Sequence, residues 1–230
     1  MNTDEPFGGE PVLEFDSDAG RRSFLKYAAL VGVGATLVAC GNSGTSSGSS
    51  SSPSGAGSPS AAGDDTSQFG QGDLGILNYA LTLEYLEADF YAKGVAAGSS
   101  LLGDFLPLIQ PIAMHEAAHV QALTQTITGA GGKPAAKPTT KYPDGTFTDK
   151  MKFLTTASTF EETGVKAYHG QVTRIKDKKV LAAAASIAGV ESRHAAILAD
   201  ILNKKQVPAP VEAHATSTEV VAAVKPFLGS

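Results

Sequence analysis

Four stretches of the chain repeat apolar side chains every three or four residues, the period of an amphipathic helix. The first starts after Asp73, a suitable N-cap, and runs to Ala97 before Gly98. The second runs from Leu106 to Thr128. Pro107 and Pro111 suit only its opening turns, and Gly129, Gly131 and Gly132 stop it. The third follows Thr148 or Asp149 and runs to Lys176, and the fourth spans Lys178 to Asn203 ahead of Pro208. Short links inside each pair predict antiparallel neighbours. The stretch 129–148, rich in Gly, Pro, Lys and Thr, is long for a connection in a compact domain and predicts a crossover along the bundle. The pattern therefore predicts an all-α fold: an antiparallel four-helix bundle with one long crossover between the second and third helices. In the tail, Val220, Val221, Val224, Phe227 and Leu228 predict a short docking helix.

The apolar seam of each long helix is interrupted at its middle. The seams read Leu77, Leu81, Glu84, Ala88, Tyr91, Val95; then Ile112, Glu116, His119, Leu123, Ile127; then Leu154, Ala157, Glu161, Val165, Tyr168, Val172; then Ile187, Glu191, His194, Leu198, Ile201. A lone ionised carboxylate in a core costs several kcal/mol unless it is paired or metal-bound. Four on converging faces repel one another, and cations between them are the simplest resolution. The pattern also repeats. Glu84 precedes Tyr91 by seven residues and Glu161 precedes Tyr168 by seven; Glu116-x-x-His119 is echoed by Glu191-x-x-His194. At a spacing of three, a carboxylate and an imidazole share one helix face and can meet one metal ion.

The N-terminal third differs in kind. Arg21-Arg22-Ser23-Phe24-Leu25-Lys26 precedes a weakly apolar run, Tyr27 to Ala39, and then Leu37-Val38-Ala39-Cys40-Gly41. The run has the length of a signal-peptide core and is too short to span a bilayer. The paired arginines resemble a twin-arginine export signal, and Leu-Val-Ala-Cys resembles a lipobox, which implies lipidation at Cys40. Residues 41–71 are dominated by Ser, Gly and Ala and predict a disordered linker. The expected organisation is a signal peptide over 1–40, that linker, a bundle over 72–205 and a tail over 206–230. The expected location is the cell envelope, exported and lipid-anchored.

Over about residues 72–204 the sequence resembles the ferritin-like superfamily of dinuclear carboxylate proteins. More narrowly, it resembles exported bacterial ferritin-like domain proteins of the desiccation-related type. The resemblance rests on Leu77-Asn78-Tyr79-Ala80-Leu81-Thr82-Leu83-Glu84-Tyr85-Leu86-Glu87, Glu116-Ala117-Ala118-His119, Phe160-Glu161-Glu162-Thr163-Gly164-Val165-Lys166-Ala167-Tyr168 and Glu191-Ser192-Arg193-His194. It implies Glu84 and Glu161 as single-carboxylate ligands, Glu116 and Glu191 as bridging ligands, and His119 and His194 as one imidazole per metal. Oxygen and nitrogen ligands without thiolate suit two Fe or Mn ions better than a structural zinc. Tyr91 and Tyr168 stand as bundle tyrosines that bond a carboxylate behind the ligands, with a redox part in catalysis as the alternative. Glu87 also falls on an apolar line, with Ile76, Ala80, Leu83 and Phe90, and stays open as an extra ligand. Glu162 falls on a solvated face.

His115-Glu116-Ala117-Ala118-His119 also matches the zinc-protease pattern His-Glu-x-x-His. That chemistry needs a third ligand. The extended motif asks for Gly at 122 and His at 125, where this chain has Ala122 and Gln125, and the next acid is Asp144. His115 is therefore read as a boundary residue or one standing behind the ligands.

Charge and composition narrow the remaining classes. Six acids and three bases lie in 1–40, which leaves 15 bases and 17 acids in 41–230. That balance lacks the basic surplus of a nucleic-acid binder. A single cysteine excludes a disulfide framework. Three classes stay open: an oxidoreductase acting on O2 or peroxide, including ferroxidase-type chemistry; a metal-sequestering stress protein without turnover; and a structural bundle. Metal ions, O2 or peroxide and a membrane through the lipid anchor are the expected partners, and a homodimer stays open.

Overall fold

The computed structural model describes residues 65–229. The expected signal peptide, Cys40 and most of the expected linker lie outside the described residues. Four long helices form the bundle: α1 (Gly72–Ala97), α2 (Leu106–Gly129), α3 (Lys150–Gln171) and α4 (Lys178–Ile201). α1 packs along α2, and α3 along α4. The short helix α5 (Ser217–Val224) docks on α3. This is the all-α four-helix bundle with one long crossover that the pattern predicts.

Three details differ from the sequence expectation. Residues 65–71, assigned to the linker, are part of the fold. They include a 3-10 turn, Ser67–Phe69; Thr66 just before it is buried, and Phe69 tilts onto Tyr79 at 5.5 Å. Asp73 is not the N-cap of α1. The helix begins earlier, at Gly72, so the Asp73 carboxylate is free to reach across the bundle. There it accepts from the backbone N–H groups of Lys176 at 3.1 Å and Asp177 at 2.7 Å. α3 ends at Gln171 rather than Lys176, because the chain must turn before Asp177 can cap α4 through Lys179 N and Val180 N. Asp149 does cap α3, accepting from Lys152 N at 3.0 Å.

The crossover is fastened along α1. The buried amide of Asn78 donates to Lys133 O and accepts from Ala135 N at 2.8 Å. Asp89 accepts from Thr140 Oγ1 at 2.6 Å and Tyr142 OH at 3.0 Å, and pairs with Lys93 and Lys137. Partial burial opposes ionisation of Asp89, but these donors outweigh it and hold the carboxyl down to about 2. The tail closes over the crossover through Lys141 N to Phe227 O at 2.9 Å and Gly229 N to Thr139 O at 2.7 Å.

Two apolar clusters flank the middle of the bundle. One contains Leu77, Leu81, Leu123, Ile127, Val180 and Ile187. The other contains Leu86, Phe90, Ile109, Ile112, Phe153 and Phe160. In it Phe90 stacks on Phe153 at 4.6 Å and 7°, and meets Phe160 edge-on at 5.1 Å. The ring of Phe153 also occupies the space where a side chain at Gly94 would stand, 2.2 Å from the missing Cβ. Between the clusters lies the layer of acids and histidines.

Candidate metal centre

α1 and α3 each bring one candidate ligand glutamate to the middle layer, while α2 and α4 each bring a glutamate and a histidine three residues on. Glu116, Glu161 and Glu191 are fully buried, Glu84 is 1% exposed, His194 2% and His119 7%. The six side chains converge as the seam pattern predicts. They form two overlapping groups that can each hold a metal ion: Glu84, Glu116, His119 and Glu191, and Glu116, Glu161, Glu191 and His194. Within each group the nearest ligand atoms lie within 4.8 Å of one another. Glu116 and Glu191 belong to both. One oxygen of Glu116 faces His119 Nδ1 at 3.3 Å and the other faces His194 Nδ1 at 2.9 Å. His119 Nδ1 also stands 3.2 Å from Glu84 Oε2 and 3.1 Å from Glu191 Oε1; His194 Nδ1 stands 3.3 Å from Glu161 Oε2.

Proximity here is not hydrogen bonding throughout. Glu116 Oε1, Glu161 Oε2, both oxygens of Glu191 and His194 Nδ1 are buried without a hydrogen-bond partner. Orphaned buried acceptors are costly and rare. Here they gather in one space, out of line with one another, which is the arrangement a cation needs. Four ionised carboxylates would balance two divalent cations. The donor set is hard oxygen with imidazole and no thiolate, which fits Fe or Mn. The residues therefore fit bound metal.

Without cations the layer resists ionisation. Burial and then repulsion from Glu191 push the Glu116 carboxyl well up; burial and then Glu161 do the same to Glu191. Burial carries Glu161 up to about 7, against the Tyr91 hydroxyl that favours its ionised form. Burial disfavours the His119 imidazolium, but Glu116, Glu191 and Glu84 outweigh it and push the ring up to about 12. Glu84 is the exception: its burial is outweighed by His119 beside it, and its carboxyl is lowered.

The tyrosines bond the candidate ligands themselves, not a carboxylate behind them, and they do so crosswise. Tyr91 of α1 donates to Glu161 of α3 at 2.5 Å, and Tyr168 of α3 donates to Glu84 of α1 at 2.5 Å. The seven-residue spacing carries each tyrosine two turns along its own helix, opposite the glutamate of the other half. Burial and the adjacent carboxylates push both hydroxyls well above their ordinary range, so they remain donors. Glu162 faces out and pairs loosely with Lys166 at 3.8 Å.

Two residues break the repeat between the two halves. Glu87, 4% exposed, lies outside both ligand groups. Burial, then repulsion from Glu191 and Glu161, pushes its carboxyl well up. Its counterpart in the second half is Gly164, whose missing Cβ lies 2.9 Å from Glu191 Oε2 and 3.3 Å from Glu87 Oε1. Glycine thus makes room for both carboxylates. Aligning Glu84-x-x-Glu87 with Glu161-x-x-Gly164 marks the glycine from the sequence, but not the carboxylate of α4 that it makes room for. The second residue is His115, which is exposed; its Nδ1 lies 2.9 Å from His194 Nε2. Among the described residues no group that could hold a metal contains both His115 and His119, so the zinc-protease arrangement is not formed there.

A family model described as a ferritin-like domain matches residues 72–204, and the chain belongs to that family. No curated protein matches the chain.

Proposed function

We propose that this chain holds two Fe or Mn ions between its four helices and undergoes redox chemistry with O2 or peroxide, of the ferroxidase or related type. The carrying observation is the gathering of unpartnered buried oxygens and one imidazole nitrogen in two overlapping ligand groups. Glu84 and His119 would hold one ion, Glu161 and His194 the other, with Glu116 and Glu191 shared. Such ions, when bound, would supply reversible one-electron chemistry. The chain's own residues supply the rest. Tyr91 and Tyr168 orient Glu161 and Glu84 by donating to one oxygen of each. The flanking apolar clusters exclude water. Beside Tyr168 lies an apolar cavity of about 20 Å³, lined by Leu77, Ala80, Leu83, Leu123 and Ala184 among others. That space suits a small apolar molecule such as O2.

The second reading is sequestration of the ions without turnover. The near-complete burial of the four candidate ligand glutamates favours it, since a sealed site retains metal. Either activity would serve envelope stress protection, the chain being exported through its paired arginines and anchored through a lipid on Cys40. This part of the proposal rests on the sequence motifs.

Metal analysis of the chain purified from its native host without chelator tests the centre, beside a Glu116→Ala, Glu191→Ala double variant. The expected result is about two ions per chain, in keeping with one per ligand group, lost in the variant. Stopped-flow oxidation with O2 and peroxide then separates turnover from sequestration. A metal-free wild type refutes the centre. For the anchor, Cys40→Ala should release the protein from membranes, and Arg21→Lys with Arg22→Lys should block export.

A further inference from the structure

We infer that His115 is a positioning residue that orients His194 toward the second metal position and makes the two positions unequal. The inference rests on the dinuclear reading above. His194 is held from both sides of its ring. Its Nδ1 faces Glu116 at 2.9 Å and Glu161 at 3.3 Å. Its Nε2 stands 2.9 Å from His115 Nδ1. The two ring planes are 10° apart with centroids 5.2 Å apart. With nitrogens that close and centroids that far, the rings lie edge to edge in nearly one plane, the alignment an in-line N–H···N bond requires.

This contact decides a tautomer. A histidine that offers the Nδ1 lone pair to a cation must carry its proton on Nε2. His194 Nε2–H then donates to His115 Nδ1, and His115 in turn carries its own proton on Nε2, at the exposed face of α2. A ligand histidine whose far N–H is held in this way is fixed in tautomer and ring orientation and is a better base.

The other half of the site is built differently. The repeat pairs Glu116 with Glu191 and His119 with His194, so His115 corresponds to Val190. An isopropyl group cannot accept a hydrogen bond, and His119 receives no equivalent support from the matching position on α4. His119 is instead surrounded on its Nδ1 side by three carboxylates, Glu84, Glu116 and Glu191. The internal duplication thus ends in two unlike positions: one histidine faced by three carboxylates, the other by two carboxylates and an imidazole behind it.

The test is calorimetric titration of the metal-free full chain with Zn²⁺ and with Mn²⁺. Wild type is expected to bind two ions. His115→Ala should weaken one binding step by about 10–100-fold, the usual cost of losing an outer partner of a metal histidine, and leave the other step within about twofold. His115→Asn, which keeps a hydrogen-bond acceptor, should recover much of the loss. In a chain already carrying His194→Ala, adding His115→Ala should change nothing further, since the residue acts through His194. Far-UV circular dichroism of each variant should match wild type, because His115 is exposed. Superimposable isotherms for wild type and His115→Ala, equal weakening of both steps, or an undiminished effect in the His194→Ala background would each overturn the role of His115 while leaving the dinuclear centre standing. A wild type that binds neither ion would refute the centre itself, and this inference with it.

Discussion

Replacing Glu161 by glutamine in the metal-free chain should stabilise it, and increasingly so as pH rises. The side chain is fully buried, and burial carries its carboxyl from the usual 4.5 to about 7. Below pH 4.5 the folded and unfolded chains both hold the proton. Between pH 4.5 and 7 the unfolded chain releases it and the folded chain keeps it, so folding loses ground as pH rises. At 1.36 kcal/mol per unit the loss is about 3 kcal/mol by pH 8. Glutamine has no proton to lose. Its carbonyl can still accept from the Tyr91 hydroxyl, and its amide fills the same volume. The stability gap should therefore open from near zero at pH 4.5 to about 3 kcal/mol in favour of Glu161→Gln at pH 8. For a folded part of this size that is roughly 6–12 °C in Tm. Urea unfolding in EDTA across pH 4.5 to 8, followed by circular dichroism, measures it. Saturating Mn²⁺ should reverse the order, because binding stabilises the wild type and the variant lacks one carboxylate ligand. A gap that stays constant over this pH range, or that favours wild type at pH 8 without metal, would refute the account of the layer as carboxylates awaiting cations.

Other substitutions separate the site from its scaffold. Gly164→Ala places a methyl group 2.9 Å from Glu191 Oε2 and 3.3 Å from Glu87 Oε1. Carboxylate ends can yield, and alanine favours helix over glycine by about 1 kcal/mol. Thermal stability should hold or rise while metal affinity falls, as titration calorimetry would show. Gly94→Ala meets the packed ring of Phe153 and should cost about 1–3 kcal/mol in urea unfolding, with no change in metal stoichiometry. Asp73→Ala removes the acceptor for Lys176 N and Asp177 N. It should cost about 1 kcal/mol, the scale of a lost helix cap, and speed amide exchange at those two positions.

The residues of the candidate centre were legible in the sequence because burial and charge conflict there. A glutamate on an apolar seam announces itself, and four of them in repeated order point to one layer. Helix boundaries were legible to within a few residues for the same local reason: prolines, glycines and capping acids act on their own neighbourhood. What lay beyond the sequence was contact between distant segments. Whether Asp73 capped its own helix or the turn at Lys176 depended on how α1 lies beside the α3–α4 link. The crossed bonds of Tyr91 to Glu161 and Tyr168 to Glu84 depended on the packing of α1 against α3. Spacing marked the tyrosines without saying which carboxylate each would reach. Gly164 and His115 mattered only once α4 was in place, bringing Glu191 to the one and His194 to the other. Periodicity along a helix assigns a residue to a face; which atoms meet across that face is settled by packing, and so by residues far away in the chain.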